Sequence, residues 1–496
     1  MAKSIMIMGT MSSAGKSFVT AGLCRIFYQD GYKTAPFKSQ NMALNSYITE
    51  NHLEMGRAQV MQAESACITP DIRMNPILLK PTSEKGSQII LNGEVFGNMN
   101  AKEYYQKKQE FIPYIKNAYE SLAKDYDVIV LEGAGSPAEI NLKEVDIVNM
   151  GMAKISNSPV ILVGDIDRGG VFASLYGTVA LLDEQEKRLI KGFIINKFRG
   201  DVEILKSGLT MLEDLTGIPV LGVLPYTNLD LDDEDSLSER LLKHEIKQDS
   251  LLDIAIIQFP RISNFTDFQA LERIESISVR YVSKLQELQN PDMIILAGTK
   301  NTISDLLWLR QNGLEAGILK AHEKGCVIFG ICGGFQMLGQ KISDTENIEN
   351  NTNKTVRGLQ LLEIETIFQT QKRRTQIQGR ICADIENLSE IKLNGYEIHM
   401  GETHGNEKPF IILETGETDG YYKHHVFGTY LHGIFDNQEF TENFLNYLIQ
   451  KKNNSEKILI SDFQNYKQMQ YDKLADLLRK NLNMQKIYEI LETGNL

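Results

Sequence analysis

Val327-Ile328-Phe329-Gly330-Ile331-Cys332-Gly333-Gly334-Phe335-Gln336-Met337-Leu338-Gly339 decides how the chain is read. An apolar run of strand type ends in Gly330-Ile331-Cys332-Gly333-Gly334, and helix-compatible residues follow at once. This is a G-x-C-x-G elbow, the thiol form of the strand–turn–helix device that raises a nucleophile above a parallel sheet. Glycines at 330 and 334 allow a turn too tight for Cβ atoms. A thiol placed there lies at a helix N-terminus, where the peptide dipoles favour the thiolate. Cys332 is therefore the candidate nucleophile.

A second turn stands at the other end of the chain. Ser4-Ile5-Met6-Ile7-Met8 runs into Gly9-Thr10-Met11-Ser12-Ser13-Ala14-Gly15-Lys16-Ser17, and an amphipathic pattern follows from Phe18 to Tyr28. Strand, glycine loop and helix in that order make a phosphate loop, one residue longer than the common Walker A spacing. Its amides (Gly9, Thr10, Ser13 and Gly15 among them) cradle phosphates, Lys16 reaches the terminal phosphate and Ser17 holds Mg²⁺.

Between the two turns, strand signatures end repeatedly in polar residues. Ala35-Pro36-Phe37 leads to Lys38, Gln40 and Asn41; Val128-Ile129-Val130-Leu131 leads to Glu132; Val160-Ile161-Leu162-Val163 leads to Asp165, Asp167 and Arg168; Phe193-Ile194-Ile195 leads to Asn196. The carboxyl ends of parallel strands are where a doubly wound sheet places ligand groups. Glu132 is assigned as the second Mg²⁺ ligand and Asn196 as an ATP contact. Lys38, Gln40 and Asn41 suit a substrate carboxylate or a transferring phosphoryl group. Asp165, Asp167 and Arg168 could serve metal, phosphate or substrate, and the residues alone leave these roles open.

Strands alternating with helical patterns predict an α/β chain with parallel sheets. At 496 residues it exceeds a single core. The reading divides it at residues 1–227, an ATP-binding domain; 228–251, an acidic linker; 252–445, a thiol-bearing α/β domain; and 446–496, helices packing back on a domain face. Leu229-Asp230-Leu231-Asp232-Asp233-Glu234-Asp235 reads as a solvated run of like charges, without the glycine or spacing of an EF-hand.

A net charge of −13 and a pI near 5.3 argue against nucleic-acid or anionic-membrane partners. Five scattered cysteines without CxxC spacing fit a reduced chain. No apolar run is long enough for a bilayer span, and the N-terminal apolar run is too short for a signal-peptide core. A cytoplasmic protein is expected. Of the eight histidines, His432 in Thr429-Tyr430-Leu431-His432-Gly433 is the best candidate base for Cys332, with His399 and His404 as competitors.

With both turns placed, the chain resembles the cobyric acid synthase family, the amidotransferases of corrin (cobalamin) biosynthesis. The resemblance is carried by Gly9–Ser17, Pro36–Met42, Met74–Pro81, Glu132–Asn141, Asp165–Phe172, Phe193–Asp201, Gly330–Gly339, Tyr396–Gly401 and Gly428–Phe435. It implies a dethiobiotin-synthetase-like ATP domain joined to a class I glutamine amidotransferase domain. It further implies ATP- and glutamine-dependent amidation of the b, d, e and g carboxylates of adenosylcobyrinic acid a,c-diamide, through acyl phosphates. Cys332 then matches the nucleophile and His432 the catalytic histidine. Backbone amides near Gly298 and Gly333 would form the oxyanion hole, and an internal passage would carry ammonia between sites. In many class I amidotransferases the triad closes with His-x-Glu, but Gly433 and Ile434 follow His432 here, so the group orienting His432 is open. Rival readings are the sister synthase acting on the a and c carboxylates, a ParA/MinD-like phosphate-loop switch, and an amidotransferase domain kept only for binding.

Overall fold

The computed structural model describes residues 2–82, 86–232, 241, 244–349 and 354–494. The chain forms two compact units. The first comprises Met1–Met42, Glu54–Asp232 and Gln464–Leu496; the second comprises Ala43–Leu53 and Asp233–Phe463.

The first unit is built on a six-stranded sheet. From one edge its strands are Val220–Pro225, Ile190–Phe198, Val160–Asp165, Lys3–Gly9, Val128–Glu132 and Thr34–Phe37. Every neighbouring pair is parallel. Sequence dictates this arrangement: Ile5 to Met8, Val128 to Leu131 and Val160 to Val163 are unbroken apolar runs, all fully buried. Strands without a polar face need cover on both sides, which is the condition of a parallel sheet. From the central strand the chain crosses to the far edge at Thr34–Phe37, returns to Val128–Glu132, and then proceeds to the other side. The order therefore reverses beside Lys3–Gly9, and the carboxyl ends of the central strands open at that switch point. A smaller sheet of Gln40–Met42, Ile77–Pro81, Gly86–Leu91 and Glu94–Asn100 completes the unit.

In the second unit, five parallel strands stand in the order Ile277–Val282, Leu252–Ile257, Met293–Leu296, Val327–Ile331 and Val426–Thr429. From Val426–Thr429 the sheet continues through antiparallel Thr418–Lys423 and Lys408–Leu413 into the long strand Ile364–Ile381, which pairs with Lys392–Gly405. This mixed extension carries the alternation of buried and exposed residues expected of strands with one wet face, as along Ile364-Glu365-Thr366-Ile367-Phe368, where 364, 366 and 368 are buried and 365 and 367 exposed.

The C-terminal end of the chain departs from a consecutive division into domains. Helix Gln438–Lys451 runs straight through the 445/446 boundary, burying Phe440, Phe444, Leu445, Leu448 and Ile449 in the second unit's core. Helices Phe463–Asn481 and Met484–Thr493 instead supply Tyr471, Leu474, Ala475, Leu478, Ile487 and Leu491 to the core of the first. Gly22 is glycine for this reason, because a Cβ there would lie 2.5 Å from Leu478 Cδ2.

The acidic run also departs from its reading as a solvated linker. Asp233, Glu234 and Asp235 lie outside the described residues, but Asp232 is buried and accepts Arg57 Nε at 2.8 Å. Lys467 Nζ lies 3.4 Å from the same carboxylate and also bonds Glu64, which accepts Tyr471 OH at 3.0 Å. The acid is thus tied to the helix Arg57–Ser65 and to the C-terminal helix by opposite charges that local sequence does not reveal. Asp232→Ala leaves two buried cations short of a partner and is expected to cost about 3 kcal/mol, read as a lowered midpoint in urea unfolding.

Candidate active sites

The phosphate loop of the first unit needs its unusual backbone. Ser13 and Gly15 take positive φ, 59° and 104°. A Cβ at Gly15 would sit 2.0 Å from Asn196 Nδ2, the atom that donates to Ala14 O at 3.0 Å. Asn196 therefore braces the loop from beneath. Gly9 is close-packed to a lesser degree, with Lys16 Cγ 3.0 Å from a Cβ built there, and Thr10 N–H is paired with Val163 O at 3.0 Å. Lys16 is buried and donates to Met11 O (2.9 Å) and Gly135 O (3.2 Å), folding its ammonium across the loop.

Beside the loop, Glu132 is buried at the end of its strand. Its Oε1 accepts from Ser17 Oγ at 2.8 Å and from Lys38 Nζ at 2.9 Å, and its Oε2 accepts from Gln62 Nε2. Lys16, Ser17, Lys38 and Glu132, residues up to 116 positions apart (Lys16 to Glu132), thus share one cluster at the switch point. A carboxylate and a hydroxyl with oxygens in hydrogen-bond contact are a donor set that suits Mg²⁺, which takes one or two protein oxygens and completes its shell with water and phosphate.

The other predicted residues divide. Asp165 is buried, its carboxylate held by Lys197 Nζ at 2.9 Å while that ammonium also reaches Ser13 O at 2.8 Å. Asp167 pairs with Arg199 at 2.8 Å, whose guanidinium lies 3.4 Å over the Tyr226 ring. Arg168 is exposed on the following turn. Gln40 accepts Tyr104 OH at 2.6 Å and Asn41 donates to Gln59 at 3.0 Å, so both amides are engaged inside the smaller sheet's surroundings. Gln62 and Lys197, which hold Glu132 and Asp165, carry no motif of their own and were not legible.

The elbow of the second unit has the strain its type requires. Cys332 takes φ 51° and ψ −110° at the N-cap of a five-residue helix, Gly333–Met337. That is a costly conformation for a residue with a Cβ, on the order of 1–3 kcal/mol. The glycines flanking it do not relieve φ; they permit close approach. A Cβ at Gly334 would lie 1.9 Å from Leu296 O, and one at Gly330 would lie 2.7 Å from Phe335 Cα. Gly333 packs on the neighbouring strand exit, where a Cβ would meet Thr299 N at 3.2 Å. Gly298, beside it, lies against His432, whose Cε1 would be 3.4 Å from a Cβ at that position. The two amide donors expected near Gly298 and Gly333 therefore belong to one pair of abutting turns, and buried Asp305 holds that turn through Thr299 Oγ1.

His432 is buried, and Asp267 supplies the group that orients it. Asp267 Oδ2 lies 2.7 Å from His432 Nδ1, and its Oδ1 accepts Gly433 N–H at 3.1 Å. His432 Nε2 is buried without a hydrogen-bond partner among the described residues. Burial opposes a charged ring, but the Asp267 carboxylate and the Cys332 thiol outweigh it and push the imidazole up to about 10. Asp267 and His432 are in the hydrogen-bond contact that orienter and base make in a cysteine triad, which makes Cys332, His432 and Asp267 a candidate triad. The competing histidines are placed elsewhere: His399 stacks on Tyr430 at 3.6 Å with Nδ1 on Gly401 O, and His404 is exposed beside Glu402. Asp267 has no spacing relationship to His432. Its one sequence signal is that it follows the strand Leu252–Ile257 into the carboxyl-end loop, as Glu132 and Asp165 follow theirs.

Because His432 gains its carboxylate only on folding, the pair's stability is fully present below the unfolded value of about 6.5 and is lost as pH rises through about 10. Asp267→Asn is therefore expected to be less stable than the parent chain near neutrality, with the gap closing towards pH 10 in denaturant titrations. In the same variant the His432 imidazole, followed by NMR, is expected to titrate well below 10.

Known proteins match the chain throughout. Residues 5–239 match the family described as the CobQ/CobB/MinD/ParA nucleotide binding domain, and residues 253–440 match the CobB/CobQ-like glutamine amidotransferase domain. The chain is 54% identical to a cobyric acid synthase of Lachnoclostridium phytofermentans, covering 100% of both chains. It is 56% identical to that of Ruminiclostridium cellulolyticum (100% of this chain, 98% of the relative) and 51% identical to that of Alkaliphilus metalliredigens (98% and 99%). Such identity over the full length of the relatives, together with the two domain matches on this chain, leaves one conclusion: the chain is an amidotransferase ligase and belongs to the cobyric acid synthase family.

Proposed function

We propose that the chain converts four carboxylates (b, d, e and g) of adenosylcobyrinic acid a,c-diamide to carboxamides, using ATP and glutamine in the cytoplasm. The observation that carries the reading is that one chain holds both a Cys332–His432–Asp267 constellation and a Lys16–Ser17–Lys38–Glu132 cluster. The first liberates ammonia and the second activates a carboxylate.

At the thiol site, His432 Nε2 takes the proton of the Cys332 thiol as Sγ attacks the carboxamide carbon of glutamine. Negative charge moves to the carboxamide oxygen, where amides at Gly333 and near Gly298 would receive it. His432 Nε2 passes a proton to the departing nitrogen as the C–N bond breaks, leaving a glutamyl thioester and ammonia. Asp267 keeps Nδ1 protonated and the ring turned towards sulfur, and stabilises the imidazolium. Water, deprotonated by the neutral ring, then cleaves the thioester to glutamate and restores the thiol.

At the phosphate loop, a corrin carboxylate oxygen attacks the γ-phosphorus of ATP, and the bond to the β-phosphate oxygen breaks to release ADP. Lys16 and Lys38 lie where charge gathers on the transferring group. Ser17 Oγ and Glu132 would hold Mg²⁺, which would supply neutralisation of phosphate charge. Lys38 and Gln62 compensate the buried Glu132 carboxylate. Ammonia then adds to the acyl carbon, phosphate leaves with the C–O electron pair, and loss of a proton yields the amide.

Mass spectrometry of cobyrinic acid a,c-diamide incubated with the protein, ATP, Mg²⁺ and glutamine tests the reading. A ladder ending in four OH-to-NH₂ replacements is expected. Cys332→Ala should lose it with glutamine and regain it with ammonia. Lys38→Gln should reduce turnover with either nitrogen source by about 10²–10³-fold. Glutaminase or ATPase activity with no mass change would discard the corrin substrate.

A further inference from the structure

A short segment from the first half of the sequence is built into the glutaminase centre. Ala43–Leu53 groups with the amidotransferase unit, although Met42 before it and Glu54 after it belong to the nucleotide-binding unit. Its backbone closes a ring around His432. Ser46 N–H donates to Asn264 Oδ1 at 3.1 Å, and Ser46 O accepts Tyr396 OH at 3.0 Å. Asn264 Nδ2 donates to the same phenol oxygen at 3.2 Å. Tyr396 in turn stacks on the His432 imidazole, with centroids 5.3 Å apart and planes 18° from parallel. The two residues also exchange backbone bonds, His432 N–H to Tyr396 O at 2.9 Å and Tyr396 N–H to His432 O at 3.2 Å.

The ring closes on the acid side as well. Asn264, at φ 51°, starts the turn that carries Asp267, and Asp267 N–H bonds Asn264 O at 3.0 Å. Asp267 then bonds His432. Ile48, fully buried, packs with Tyr396 and Ile398, the latter being the residue whose carbonyl lies 3.5 Å from Cys332 Sγ. Tyr47 meets the Tyr396 ring edge-on at 5.3 Å. Every member of the triad is thereby one contact from a residue touching the segment.

We propose that Tyr396 and the segment Ala43–Leu53 are positioning elements for His432, so that glutamine hydrolysis depends on the conformation of a stretch peptide-bonded to Lys38–Met42, the strand exit that carries Lys38 of the phosphate-loop cluster. The inference rests on the triad reading above. A misplacement of the base by a fraction of an ångström costs rate without altering glutamine binding, because the ring acts on the leaving nitrogen rather than on the bound amide. The polar ring fixes the imidazole plane from two sides: Asp267 sets its edge and Tyr396 its face.

The test compares glutaminase kcat and KM in Tyr396→Phe, Tyr396→Leu and Tyr47→Ala/Ile48→Ala, with Cys332→Ala in parallel and thermal melting of each. Tyr396→Phe keeps the stack and loses the phenol bonds; kcat is expected to fall about tenfold with KM within about twofold. Tyr396→Leu loses both, with an expected fall of about 100-fold. The segment variant should resemble Tyr396→Phe in kcat and KM when assayed well below its melting point, which the Ile48 cavity lowers, with ammonia-driven amidation retained. The tenfold fall in Phe measures the phenol bonds, and the further tenfold fall in Leu measures the stack. Wild-type kcat in Tyr396→Leu, or in the segment variant, overturns the proposal. So does a loss that only follows the melting point. Glutaminase activity surviving in Cys332→Ala would instead overturn the triad reading itself, which separates the two failures.

Discussion

The constraint on which the amidotransferase unit depends is the backbone at Cys332, held at φ 51° and ψ −110° although the residue carries a side chain. A chain left to itself abandons that conformation. It persists because the residues on either side can approach their neighbours more closely than any Cβ allows, Gly334 against Leu296 O and Gly330 against Phe335. Once those approaches are made, the sheet order follows from them. Val327–Ile331 must lie directly beside Met293–Leu296, whose exit brings Gly298 and Thr299 to the elbow, and beside Val426–Thr429, whose exit brings His432. The strain is thus confined to one residue and offset by packing across three strands.

In the nucleotide-binding unit the corresponding constraint is a buried carboxylate. Glu132 cannot be removed from water as an anion unless its charge is met. Ser17, Lys38 and Gln62 meet it from three separate segments, which draws the phosphate loop, the second strand's exit and the helix Arg57–Ser65 to one point. The same logic recurs one strand over, where Lys197 joins Asp165 to the loop at Ser13 O. Both buried acids are thus neutralised by lysines at adjacent strand ends. The function thereby shares its residues with the stability of the fold.

How far the sequence could be read depended on whether a group's partner was local. Gly9–Ser17 and Gly330–Gly334 announce themselves because turn geometry, amide donors and reacting side chain all lie within nine residues or fewer. The parallel sheets were legible from apolar runs ending in polar residues, since a strand buried on both faces has no other composition open to it. Asp267 was missed because its partner stands 165 positions away and no periodicity links them. Asp232 was misread for a related reason: among acids it looks solvated, and only Arg57 and Lys467, distant in sequence, make its burial tolerable. The domain boundaries followed composition, whereas the real units exchange segments: residues 43–53 group with one and 464–496 with the other.

Sequence by itself determined the two chemistries, the α/β class and the family, because each resides in short patterns whose physics is complete within a turn or a strand. Tertiary structure alone decided which acid orients His432, what compensates Glu132 and where the interposed and C-terminal segments pack. Those are questions of charge and hydrogen-bond satisfaction between residues tens to hundreds of positions apart, and burial sets their answer only after the chain has closed on itself.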